Sequence, residues 1–282
     1  MKKIVLATDF SDNAGQAAAC AAGIAAKCGA TLYILHAMDG ATDPVIEPVA
    51  LDTVLLERYT RERFDRLRAV KQHIADQYAS LRTELRLSRA MAADAILALS
   101  RKEQADLIIM GAHGGGRLKE LAIGSVAADV IDHSNIPVMA VPPEYIFHEP
   151  DTFLLAIKRP GENAAPLNVL IGMAASFGAR IDIVSFVNSR ETGTPDDLET
   201  EKQLNYYTGF LQRSFPALAF TSEKLDGDDF QLSIDRYCRS HDVDMVALFK
   251  HPRHLLDMLC CRNNTRRAVF HSHVPVLVLP GS

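Results

Sequence analysis

The chain has 282 residues, 48% of them hydrophobic, which is enough for one large or two modest domains with a real core. A formal net charge of −5 gives no reason to expect nucleic acid or an anionic membrane as an obligate partner. No apolar run approaches the ~18 residues of a membrane span, the run after Met1-Lys2-Lys3 breaks at Thr8-Asp9 before it is long enough for a signal peptide, and the five cysteines have no regular spacing, so the expected compartment is a reducing cytoplasm.

Taken in order, Lys3 to Thr8 reads as a first strand with Asp9 at its end. Ser11 and Asp12 cap an alanine-rich helix from about Asn13 to Cys28, which Gly29 closes. Thr31 to Met38 is a second strand, and Gly40 to Ala50, with Pro44 and Pro48, is a loop. From Leu51 to about Ala79 apolar residues recur three or four apart, or at multiples of that, and predict one long amphipathic helix. Its basic residues, among them Arg58, Arg61, Arg63 and Arg66, are interleaved with Glu57, Glu62 and Asp65 and read as a solvated face. Glu84 to Arg89 is a third strand, Ala93 to Lys102 a third helix, Leu107 to Met110 a fourth strand and Ile136 to Val141 a fifth. Strands alternating with helices predict a doubly wound α/β fold, with ligands beyond the carboxyl ends of a parallel sheet. Asp9 and Gly111, each just past a strand end, are therefore expected to face one crevice.

Between the fourth strand and the next helix the chain turns to glycine: Gly111, Gly114, Gly115, Gly116 and then Gly124. Glycines permit close approaches that a Cβ blocks, so backbone amides can converge on one point. Ser125 stands near the cap of the helix that follows, and a strand end, a glycine loop and a helix N-terminus meeting in one place suit a phosphate. There is no Walker A lysine, and the glycines do not follow the first strand as a dinucleotide fingerprint would. Read alone, Asp9 is as well explained by capping the next helix, and Met110 by the core.

Beyond Pro142-Pro143 and Pro150 the pattern begins again. Phe153 to Lys158 matches Ile4 to Asp9 at an offset of 149, and an offset of 138 aligns Val243 to Val246 with Ala105 to Ile108 and Val274 to Val276 with Ile136 to Val138. The expected units are residues 1–143 and 151–282. In the second, Lys158 replaces Asp9, Phe249 replaces Gly111, Pro252 replaces Gly114, Arg262 replaces Gly124 and Asn263 replaces Ser125. A Phe and a Pro at those places obstruct a phosphate cradle, although Lys158, Lys250, Arg262, Arg266 and Arg267 would attract some other anion. His251, His254, His271, His273, Cys260 and Cys261 match no compact zinc spacing.

The spacing Gly111-x2-Gly114-x9-Gly124-Ser125 resembles the nucleotide-binding signature of the universal stress protein family, G-x2-G-x9-G-S/T. The resemblance covers both units in architecture and is specific in the first. It implies two tandem five-stranded sheets of the Rossmann-like, adenine nucleotide alpha hydrolase-like type. It also implies a regulator that binds ATP, or another adenine nucleotide, in the N-terminal unit, with Mg²⁺ on the phosphates where metal takes part. Carried over by residue, Asp9 contacts the ribose, the backbone of Ala37 meets the adenine edge, and Met110 lies against the nucleoside. Gly111 and Gly114 give amides to phosphates, and Gly124, Ser125 and Val126 hold the phosphate tail. Met91-Ala92 departs from the Gly-Asp-Pro of many relatives. Other readings are a slow ATPase, an adenylylating enzyme or a scaffold without ligand. No Walker B aspartate or general base accompanies the glycines, and no Ser-Gly-Gly-x-Asp-Ser or His-x-Gly-His motif is present. Single-domain members resemble dimers joined through the last strand, so the resemblance implies an intramolecular pseudo-dimer; whether two chains then associate stays open.

Overall fold

The computed structural model describes residues 1–38, 53–114, 124–157, 167–188, 195–250 and 272–280. The loop expected over 40–50, Gly115, Gly116, Lys158 and the stretch 251–271 lie outside these residues. With that stretch go Pro252, Arg262, Asn263, Arg266, Arg267 and all the cysteines and histidines of the zinc question except His273.

The first half runs β1 (Lys3–Ala7), α1 (Asp12–Cys28), β2 (Thr31–Ala37), α2 (Thr53–Gln77), β3 (Thr83–Ser88), α3 (Ala92–Glu103), β4 (Leu107–Gly111), α4 (Ser125–His133) and β5 (Val138–Val141). The second half runs β6 (Thr152–Ile157), α5 (Asn168–Phe177), β7 (Arg180–Asn188), α6 (Pro195–Ser214), β8 (Phe220–Gly227), α7 (Phe230–Ser240), β9 (Met245–Phe249) and β10 (Val276–Leu279). Local chemistry sets the ends of α1. Ser11 Oγ accepts the Ala14 amide at 3.2 Å, and Gly29, at φ 64°, takes the left-handed turn that lets Ala30 N reach Ala25 O at 2.9 Å.

The ten strands of the described residues form one sheet in the order β3-β2-β1-β4-β5-β10-β9-β6-β7-β8. Within each half the pairing is parallel, and β5 meets β10 antiparallel, Met139 opposite Leu277. The last strands of the two halves thus meet at the centre, where each covers the edge the other would expose. Their apolar side chains, buried on both faces, fit that position. Alternate strand residues feed two core layers. Ile4, Leu6, Ile34 and Ile109 pack with α1, α2, α5 and α6, whereas Val5, Tyr33, Ile108 and Val138 pack with α3, α4 and α7.

The repeat extends to single hydrogen bonds. Asp106 Oδ2 accepts the amides of Lys2 and Lys3 at 2.5 and 2.9 Å, and Asp244 Oδ2 accepts those of Asp151 and Thr152 at 2.7 and 2.9 Å. Ser134 Oγ and Ser272 Oγ each close the turn before the last strand of their half, on Ile136 and Val274. Between the halves, Tyr145 is buried in the core, the Phe147 ring lies on Gly23 of α1, and Lys27 pairs with Glu149 at 2.7 Å. Because β5 and β10 run in opposite directions, the carboxyl ends of β1 to β4 and of β6 to β9 lie at opposite ends of the sheet.

Candidate functional site

The crevice of the first half is built from the carboxyl ends of three neighbouring strands, β2, β1 and β4. Past β1 the chain is bent sharply. Thr8 N still donates to Leu35 O at 2.9 Å, Thr8 Oγ1 accepts the Phe10 amide at 3.1 Å, and Phe10 takes a positive φ of 63°. For a bulky residue that conformation costs about 1–2 kcal/mol. Two ring contacts offset it: the Phe10 ring lies 4.2 Å from the His36 ring, and the Arg66 guanidinium stands 4.4 Å above it.

His36 is buried, and its Nδ1 lies 2.8 Å from Thr8 O, so that nitrogen carries the hydrogen and donates. Burial pushes its pKa below the ordinary imidazole value; the Thr8 carbonyl works the other way, and the nearby charges of Arg63 and Arg66 add to the lowering. The bend turns Asp9 outward. Its Oδ1 accepts Ser11 N at 3.0 Å and Ser11 Oγ at 2.6 Å, while Oδ2 stands 3.4 Å from where a Cβ on Gly114 would be. Ser11, not Asp9, is therefore the residue that caps α1.

At the end of β4, Met110 is buried and Gly111 meets a neighbour that sequence patterns do not reveal. A Cβ on Gly111 would lie 2.7 Å from Asn13 Oδ1 and 2.9 Å from its Cγ. The Asn13 amide is buried and committed on both sides: Oδ1 accepts His113 N at 2.9 Å, and Nδ2 donates to Val141 O at 2.9 Å. One side chain on α1 thus ties the glycine loop to the end of β5. Phe249, the counterpart of Gly111, is buried in the core layer on the α1 and α5 side. Its side chain points inward, as a Cβ on Gly111 would.

Gly124 N donates to Ala112 O at 2.7 Å, and a Cβ on Gly124 would lie 3.3 Å from Gly114 N and 3.4 Å from Ala112 O. The absence of that Cβ lets the start of α4 close on the loop. Gly124 itself occupies the cap position, so Ser125 is the first helical residue and not the cap. Among the described residues no side chain caps α4 and no acid stands in its first turn; the amides of Ser125, Val126 and Ala127 lack intrahelical partners by helix geometry and carry the positive end of the helix dipole. Ser125 is exposed and Val126 half-buried against the core. Asp9, Gly114, Gly124 and the first turn of α4 are thereby brought together, with Gly111 and Met110 behind them. Ala37 stands at the end of β2, two strands from β4, packed against the core layer of α3 and α4. A cluster of backbone amides at a helix start fits a phosphate. Asn13, Phe10 and His36, which hold this arrangement, were not singled out by sequence reasoning; the one available signal was a lone polar residue on the buried face of an alanine helix.

A doubly wound sheet whose first half carries a glycine-lined, uncapped helix start at its carboxyl end defines the class: an α/β protein with the crevice geometry of the nucleotide-binding folds. The profile of the universal stress protein family matches residues 1–142, and the chain belongs to that family. A universal stress protein of Thermus aquaticus is 34% identical over 140 residues, which are 50% of this chain and 98% of that one. Another, from Methanocaldococcus jannaschii, is 31% identical over 50% of this chain and 81% of its own length. The crystal structure of a universal stress protein from Archaeoglobus fulgidus superposes over 99% of this chain and 96% of its own with a TM-score of 0.73 at 15% identity, a likeness of fold.

Proposed function

We propose that the first half binds one adenine nucleotide, ATP in the simplest case, and that the protein acts as a nucleotide-responsive regulator in stress response. The observation that carries the reading is the convergence of the uncapped start of α4, the Gly114 and Gly124 backbone and the Asp9 carboxylate at one strand end. Phosphate oxygens accept hydrogen bonds from the amides of Gly114, Ser125 and Val126 and from Ser125 Oγ, and the helix dipole favours their charge. Asp9 Oδ2 accepts ribose hydroxyls, Met110 and Val126 flank the nucleoside, and the Ala37 backbone meets the adenine edge. Were Mg²⁺ to take part, Ser125 would be the residue beside it, and the ion would offset phosphate charge.

The reading is occupancy as a signal. Among the described residues the carboxylate beside the loop, Asp9, already holds Ser11 through Oδ1, which suits a binding group better than a proton acceptor. In the second half Phe249 takes the place of Gly111, so we assign one nucleotide per chain and treat residues 151–282 as a unit without this site.

Titration calorimetry of nucleotide-stripped protein with ATP, ADP and AMP tests the reading. Near one nucleotide per chain is expected, lost in Gly114→Val, whose branched side chain would stand beside Asp9 Oδ2 where the nucleotide is placed, and weakened in Asp9→Ala by about 10-fold, the size of a charge-assisted hydrogen bond. No heat at millimolar ATP would overturn it.

A further inference from the structure

The second half reaches across the sheet and touches the helix that faces the proposed phosphate. Lys250 follows β9 and corresponds to Ala112 of the first half; each donates its backbone N–H to the last strand of its own half, Lys250 to Leu279 O at 2.7 Å and Ala112 to Val141 O at 2.8 Å. The backbone role is the same in both halves, but the side chains differ. Because β10 runs antiparallel to β5, the carboxyl end of β9 lies at the end of the sheet where α4 finishes. There the Lys250 ammonium donates to Asp132 O and, at 3.5 Å, to Ser134 O.

These are carbonyls that helix geometry leaves without intrahelical partners. Ser134 N closes the helix on Val130 O and His133 Nδ1 meets Asp129 O, so the Asp132 carbonyl is satisfied from the other half of the molecule. Helix α4 is only nine residues long. One end abuts Gly114 and Ala112 through Gly124; the other is held by a cation that complements the negative end of its dipole.

We propose that Lys250 is a positioning residue for the nucleotide site, through which the second half sets the seat of α4 and hence the amides of Ser125 and Val126. The inference rests on the nucleotide reading above. It gives the half without the glycine motif a task in the function of the other half, beyond the shared sheet.

The test uses the full chain as wild type, Lys250→Met, which keeps the apolar stem and removes the ammonium, and Lys250→Arg, which restores a donor and a charge. ATP affinity is read by calorimetry, amide exchange over residues 124–134 by mass spectrometry, and the thermal midpoint alongside. Lys250→Met is expected to weaken ATP by about two- to fivefold, the range set by a cation at a helix C-terminus, and to speed exchange in the last turn of α4, with Lys250→Arg recovering both. A Lys250→Met protein that binds ATP as tightly as wild type overturns the proposal, even if its thermal midpoint falls, since that pattern marks a merely structural contact. A wild type that binds no ATP overturns the nucleotide reading itself and this inference with it.

Discussion

The contact between Gly111 and Asn13 makes a sharp test of how the glycine loop is held. In Gly111→Ala the new Cβ would stand 2.7 Å from Asn13 Oδ1, 2.9 Å from its Cγ and 3.3 Å from its backbone carbon. A free side chain would swing away, but this amide bonds His113 N and Val141 O. Moving it strips the His113 amide of its acceptor, whereas Val141 O keeps its bond from Ala112 N. Losing that hydrogen bond costs about 1–2 kcal/mol, and the overpacking that remains after the amide moves costs about 1 kcal/mol. We expect Gly111→Ala to lower stability by about 2–3 kcal/mol and Asn13→Ala by about 1–3 kcal/mol. In Asn13→Ala the amide is gone, so adding Gly111→Ala is expected to cost no more than about 0.5 kcal/mol, leaving a coupling of about 2 kcal/mol between the sites. Urea unfolding of the four proteins, followed by circular dichroism and by tyrosine fluorescence since the chain has no tryptophan, measures the cycle. Coincident transitions by both probes license the free energies. Additivity within about 0.5 kcal/mol would refute the argument that the amide is the obstacle.

The depressed pKa of His36 gives a pH dependence of definite sign. Burial holds the folded value below the unfolded value of about 6.5, so the unfolded chain takes up a proton first as pH falls. The contribution of His36 is fully present above about pH 6.5 and is lost as pH drops from there through the folded value. The urea midpoint of wild type is expected to fall between pH 7 and 5 more steeply than that of His36→Gln; parallel curves would exclude this imidazole as the source. Gly23→Ala probes the segment between the halves. Its Cβ would lie 2.0 Å from the Phe147 ring, so the ring must leave α1 at a loss of about 1–2 kcal/mol of burial. Cleavage between Pro143 and Pro150 in limited proteolysis is expected to accelerate, and an unchanged rate would show that Phe147 does not dock the segment.

What could be read from residues in order is what depends on neighbours in order. The short apolar run of β4, the three-to-four-residue period of α2, Ser11 as a cap and Gly29 as a left-handed stop follow from short-range sterics and hydrogen bonding, and all stand in the structure. The glycine spacing likewise marked the loop from Gly111 to Gly124, because a missing Cβ is a property of single positions. The pairings that hold the loop together were beyond such reasoning. Asn13 meets partners 100 and 128 residues away, and Lys250 reaches a carbonyl 118 residues back. A first-turn asparagine and a lysine after a strand are unremarkable locally; their roles depend on sheet register and on the antiparallel meeting of β5 and β10, which many distant contacts decide together. The same junction makes the two five-stranded halves one continuous sheet, and the inward direction of the Gly111 position sent Phe249 into the core. Periodicity tells which face of an element is buried; only the assembled sheet tells which distant backbone group that face meets.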